Sequence, residues 1–114
     1  MRVLVCGSRH FNDYEVAKGI LDIIHITCII HGAARGADSL GARYGEENNI
    51  HVEPYPALWD LHGKRAGPIR NSQMLREGTP DLVVAFLATD SRGTKNMIKQ
   101  AEKAGVPVKV ISIC

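Results

Sequence analysis

Five short apolar runs alternate with segments of helical spacing along this chain, and that alternation restricts the fold more than any other feature. The first run, residues 2–7, reads Arg-Val-Leu-Val-Cys-Gly, and the run at 81–88 is the most apolar of all. Continuous runs of this kind suit strands buried on both faces. Residues 27–31, a short run at 51–55 and residues 108–113 supply the remaining strands. After the first strand, Asn12 and Glu15 form a capping-box pattern, and Ala17, Ile20, Leu21 and Ile24 follow at helical spacing. Residues 32–38 are a small-residue turn, followed by a helix with Ala37, Leu40, Gly41 and Tyr44 on one face. Residues 56–63 read as a loop, and Pro68 is placed as the first residue of a helix to about Glu77. Thr94 caps the last helix, whose inner face carries Met97, Ile98 and Ala101. Gly105 ends that helix, with Pro107 two residues on.

Strand–helix alternation implies parallel strands joined by right-handed crossovers, with helices on both faces. The expected fold is α/β, a Rossmann-like three-layer domain with a five-stranded parallel sheet in the order 3-2-1-4-5. The 114 residues fit a single domain spanning 1–114, with no linker and no internal repeat. A hydrophobic fraction of 45% suffices for a core without disulfides.

The same numbers exclude several classes. A net charge of +2 does not by itself imply a polyanionic partner. No apolar stretch is long enough to span a membrane. Met1 leads directly into the first strand with no basic and apolar leader, which predicts a cytoplasmic protein. Cys6, Cys28 and Cys114 form no Cys-x-x-Cys pair, and Cys6 and Cys28 sit in apolar runs where a thiol acts as a small hydrophobe. The histidines, His10, His25, His31, His51 and His62, lack metal-ligand spacing, so neither a metal nor a cofactor is expected.

Ligands of open parallel sheets bind beyond the carboxyl ends of the strands, where strand order reverses. Three turns converge on that edge: Gly7-Ser8-Arg9, the stretch from Gly32, Ala33 and Ala34 through Arg35, Gly36 and Ala37 to Asp38, and Ser91-Arg92-Gly93-Thr94. Glycine lets a ligand approach the backbone, and the second and third turns open helices, whose N-termini favour phosphate. Arg9, Arg35 and Arg92 add one cation to each turn. For any one turn, ordinary turn geometry explains the glycine; for Asp38, a carboxylate at a helix N-terminus is explanation enough. It is the convergence of all three that points to a phosphate-bearing ligand.

Familiar nucleotide motifs are missing. No Gly-x-Gly-x-x-Gly follows the first strand, and His31 stands where an acidic residue would hold a ribose. No Gly-Lys-Ser/Thr closes the second turn, which excludes a P-loop. A second polar segment runs from Trp59 to Asn71 and contains Asp60, His62, Lys64, Arg65 and Arg70. Part of it reads as a solvated loop and part as a wall facing a ligand. Trp59 either packs on the core, the ordinary fate of so large a side chain, or stacks on a base.

These motifs, taken in order, resemble the YspA-like family of the SLOG superfamily: Gly32 to Asp38; Trp59-Asp60, His62-Gly63, Ala66-Gly67-Pro68-Ile69-Arg70-Asn71 and Met74-Leu75; then Arg92-Gly93-Thr94. The resemblance covers nearly the whole chain. It implies a Rossmann-like domain that senses or processes nucleotide-derived ligands, and its relatives include the Lonely Guy phosphoribohydrolases and the DNA-processing protein DprA. Arg70 and Met74 are similar to the Lonely Guy pattern. Those enzymes also carry a Pro-Gly-Gly-x-Gly-Thr-x-x-Glu motif after the fourth strand. Here Gly93 and Thr94 remain, the paired glycines are absent, and Met97 stands in the place of the catalytic glutamate.

Cleaving an N-glycosidic bond develops positive charge that a carboxylate stabilises, and methionine cannot supply one. The first expectation is therefore binding of a nucleotide-derived small molecule through Gly7, Ser8, Arg9, Gly32, Ala33, Arg35, Gly36, Asp38, Arg70, Asn71, Arg92, Gly93 and Thr94. The second is an N-glycosidase built on Arg70 and a relocated carboxylate, from Asp38, Asp60 or Asp90. The third is a single-strand nucleic-acid binder, disfavoured because aromatic residues make up only 5% of the chain. The Lonely Guy resemblance further implies a homodimer.

Overall fold

The computed structural model describes residues 1–89 and 91–113. The strands are β1 (Arg2–Gly7), β2 (Cys28–His31), β3 (His51–Pro54), β4 (Leu82–Leu87) and β5 (Val108–Ser112). The helices are α1 (Tyr14–Leu21), α2 (Ala37–Glu47), the short α3 (Trp59–His62), α4 (Ala66–Gly78) and α5 (Arg92–Lys103). Every strand pair is parallel, and the sheet order is β3-β2-β1-β4-β5. This is the α/β Rossmann-like architecture that the alternation predicts. Among the described residues no helix is long and apolar enough to cross a membrane.

The continuous apolar character of β1 follows from burial on both faces. Val3 and Val5 point into one core layer with Phe11, Tyr14, Leu21, Ile29 and Phe86, under α1 and α2. Leu4 and Cys6 point into the other with Cys28, Ile30, Met74, Met97 and Ala101, under α4 and α5. Successive side chains of a strand face opposite ways, so a strand covered on both sides has no polar position to spare. The edge strands β3 and β5 are only partly covered, which explains their mixed sequences.

Four local expectations are corrected. The α1 cap is Asp13, not Asn12: its carboxylate accepts from Val16 N at 3.2 Å, and its carbonyl accepts from Ala17 N. The segment 56–63 is not all loop; α3 and a 3₁₀ turn at Gly63–Arg65 fill its second half and lead into α4. Pro68 is the third residue of α4 rather than the first, a position that tolerates proline because first-turn N–H groups lack intrahelical partners. Ser91, not Thr94, is the cap residue of α5, because Lys95 N donates to Ser91 O, and Thr94 lies buried inside the first turn.

Candidate functional site

A cavity of about 670 Å³ opens beyond the carboxyl ends of the strands, where the chain order reverses around β1. Its walls come from the β1–α1 loop, the β2–α2 turn, the segment before and including α3, the middle of α4, and the start of α5.

The β1–α1 loop contributes Gly7, Ser8 and Arg9. A side chain at position 7 would strike the Phe86 carbonyl and the Ala37 Cβ, at 2.5 and 2.8 Å, so glycine here serves close packing of β1 against β4 and α2. The Ser8 backbone is fully engaged: its N–H donates to Phe86 O, and its carbonyl accepts from Phe11 N and Ala37 N. Ser8 therefore fixes the loop across the sheet end. Arg9 is exposed and pairs with no carboxylate among the described residues.

The β2–α2 turn contributes Gly32, Ala33, Arg35 and Asp38. Gly36 does not line the cavity; it adopts φ 77°, and a Cβ there would collide with the Ser8 carbonyl and the Arg9 backbone. Glycine at 36 thus lets two loops cross. Ala33 holds φ 57°, a left-handed conformation that costs a non-glycine residue on the order of 1 kcal/mol. Its N–H donates to His31 Nδ1 at 3.0 Å, which places the imidazole proton on Nε2. Burial, and then the nearby Arg70 charge, lower the His31 pKa and keep that ring neutral.

Asp38 and Arg70 meet through the main chain of Gly32. Gly32 N donates to Asp38 Oδ2 at 2.7 Å, and Arg70 Nη1 donates to Gly32 O. Asp38 is only 5% exposed. Burial raises its pKa to about 6, against the opposing pull of the Gly32 N–H and the Arg70 charge. Arg70 pays for its own half-burial with a lowered pKa, which the Asp38 charge counteracts.

From α4, Arg70 and Asn71 face the cavity. The Asn71 amide is a bracket: Oδ1 accepts from Arg70 Nε at 3.1 Å, while Nδ2 donates to Gly93 O and to Asn96 Oδ1. It ties the arginine to the start of α5. Arg92, Gly93 and Thr94 form that start, and a Cβ added at Gly93 would meet nothing within 4 Å. Thr94 is buried at its base.

Trp59 is not a core residue: 50% of its surface is exposed, and its ring stands in the cavity wall. Of the two proposed carboxylates among the described residues, Asp38 lines the cavity and Asp60 does not. Asp60, one residue beyond Trp59, is exposed and lies outside the wall; Asp90 lies outside the described residues. Met97 is fully buried in the layer with Leu4 and Met74.

Cys6, His10, Pro56 and Ala57 also line the cavity, and no motif marks them as facing a ligand; Met74, part of the Met74-Leu75 motif, lines it with them. Met74 follows Arg70 by one helical turn. Cys6 lies in the floor with its thiol pushed up, first by burial and then by the Asp38 charge, so it is inert as a nucleophile. Cys114 lies outside the described residues. Away from the cavity, Cys28, His51 and Glu53 bring ligand-type atoms within 4.8 Å of one another, a grouping that linear spacing hides. Arg2 donates to both Glu53 carboxylate oxygens, and its charge opposes a cation there.

Fold and cavity define a parallel α/β domain with a ligand cleft of mixed charge at its switch point. The profile of the YspA, cpYpsA-related SLOG family matches residues 1–62, more than half of the 114 residues. The "Gene 61 protein" of Mycobacterium phage D29 is 38% identical over 117 aligned residues, which cover 94% of this chain and 93% of that protein. The chain belongs to the YspA, cpYpsA-related SLOG family. Membership agrees with nucleotide-related binding or processing.

Proposed function

We propose that the cavity binds a nucleotide-derived small molecule, with its phosphate at the start of α5. One observation carries this reading: Arg70, the α5 N-terminus and the Trp59 ring all border the same cavity. A helix of 12 residues directs N–H groups and a partial positive charge at its start, and Arg92 adds a full charge. The α2 start is the poorer phosphate seat, because the Asp38 carboxylate already takes the Gly32 N–H and repels an anion when ionised. Arg9 and Arg35 supply long-range attraction at the rim.

A second reading has its own support. Asp38 borders the same cavity as Arg70, with a pKa of about 6, so the cavity retains a carboxylate although position 97 does not supply one. In an N-glycosidase, that carboxylate would offset charge developing on the sugar while Arg70 holds the phosphate. Single-stranded nucleic acid fits less well, because Trp59 is the one aromatic ring in the described wall.

The deciding experiment is mass spectrometry of small molecules retained on the purified protein, followed by calorimetry with nucleoside monophosphates. Saturable binding of a phosphate-bearing nucleotide supports the proposal. Release of free base and ribose phosphate at about 1 s⁻¹ or faster, abolished in Asp38→Asn, replaces it with the glycosidase reading.

A further inference from the structure

The chain contains one tryptophan, three tyrosines and two phenylalanines. Five of these rings are accounted for by the fold. Phe11 and Phe86 stack on each other in the core with centroids 4.7 Å apart. Tyr14 and Tyr44 are buried, and their hydroxyls donate to Glu47 and Asp22. Tyr55 is partly buried against the layer under α4 and α5.

Trp59 is different. Its six-membered ring reaches over Gly67, where an added Cβ would lie 3.5 Å from the ring carbon Cη2. One part of the indole is thus seated on the first turn of α4. Half of the side chain nevertheless stays open to solvent on the cavity wall, beside Pro56 and Ala57. A tryptophan is ordinarily among the most buried side chains, and holding this one half-exposed forgoes apolar burial. A flat π-face presented to a cavity that also holds a cation and a helix N-terminus suits a planar heterocycle.

We propose that Trp59 is the stacking platform for the base of the bound nucleotide and determines that a base-bearing ligand is preferred over a bare sugar phosphate. This rests on the nucleotide reading above and deepens it. The base lies on the indole, and the phosphate lies at Arg92–Thr94. Stacking on an aromatic ring tolerates every base, so the platform selects for the presence of a base more than for its identity.

Because the chain has a single tryptophan, its fluorescence reports on this wall alone. The test titrates AMP, GMP, CMP, UMP and ribose 5-phosphate into the intact protein, reading tryptophan emission and calorimetric heat together. The expected result is quenching by at least one nucleotide and none by ribose 5-phosphate. In Trp59→Ala that nucleotide should bind about fivefold or more weakly, with ribose 5-phosphate affinity unchanged. Trp59→Phe, which keeps a π-face, should restore most of the affinity. Nucleotide binding that leaves emission and the Trp59→Ala affinity unchanged overturns the platform and leaves the nucleotide site standing. Equal affinity for ribose 5-phosphate and all four nucleotides also overturns it. Binding of none of the five overturns both readings.

Discussion

The Arg70 guanidinium fills the space that a side chain at Gly32 would need: Arg70 Nη1 donates to the Gly32 carbonyl, and a Cβ on Gly32 would lie 2.6 Å from Arg70 Cζ. The arginine is aimed into the cavity because residue 32 has no side chain.

Gly32→Ala should therefore act as a remote Arg70 variant. The clash is with the far end of a flexible side chain, and Gly32 has no positive φ to defend, so the domain folds and the guanidinium swings away. Nucleotide affinity should fall by roughly 1.5–3 kcal/mol in Arg70→Ala, by a comparable amount in Gly32→Ala, and little further in the double variant. Additive losses measured by calorimetry would show that the two residues act separately.

Met97→Glu should unfold or severely destabilise the domain without creating a glycosidase. The side chain is 0% exposed and packs with Leu4, Met74 and Ala101. An uncompensated charge there costs about 3–5 kcal/mol. Thermal melting checks this. A stable, active Met97→Glu protein would mean that position 97 reaches the cavity after all.

Asp38 sets a pH dependence of stability with a definite sign. Its folded pKa of about 6 lies above the unfolded value of about 3.9. Between those values the folded state holds the proton and the unfolded state does not, so stability falls as pH rises from about 4 to about 6. The loss is roughly 3 kcal/mol and is complete above pH 6. Asp38→Asn keeps an oxygen for the Gly32 N–H but cannot ionise. Its denaturant midpoint should be flat over that window where the parent's declines; parallel curves would place the titrating group elsewhere.

The expected homodimer has a concrete surface to test. Leu58 and Leu61 flank the Trp59–Asp60 pair in sequence and Ile69 precedes Arg70, and all three are exposed, Leu61 to 72%. Light scattering at micromolar concentration should give twice the mass of the chain, and Leu61→Asp should return it to a single chain. A monomeric parent protein would leave this patch without a second copy to cover it.

The sequence by itself determined the strand–helix alternation, the two-sided burial of β1 and β4, and the edge of the sheet to which the three turns converge. All of these follow from local periodicity and from the handedness of parallel crossovers. It also pointed to Arg70, Asn71 and the turns at Gly32 and Arg92 through the order of their motifs. Tertiary structure alone decided the roles within the site. Gly36 leaves the wall because two loops cross there; Trp59 enters it because α4 offers its ring a seat at Gly67. Asp38 lines the cavity and Asp60 does not, although both carry the same side chain. The pKa of Asp38 rises because α2 buries it against β1 and β2, an effect of desolvation that depends on neighbours distant in sequence. Periodicity records which face a residue turns to the core; what stands opposite that face is set only when the elements pack.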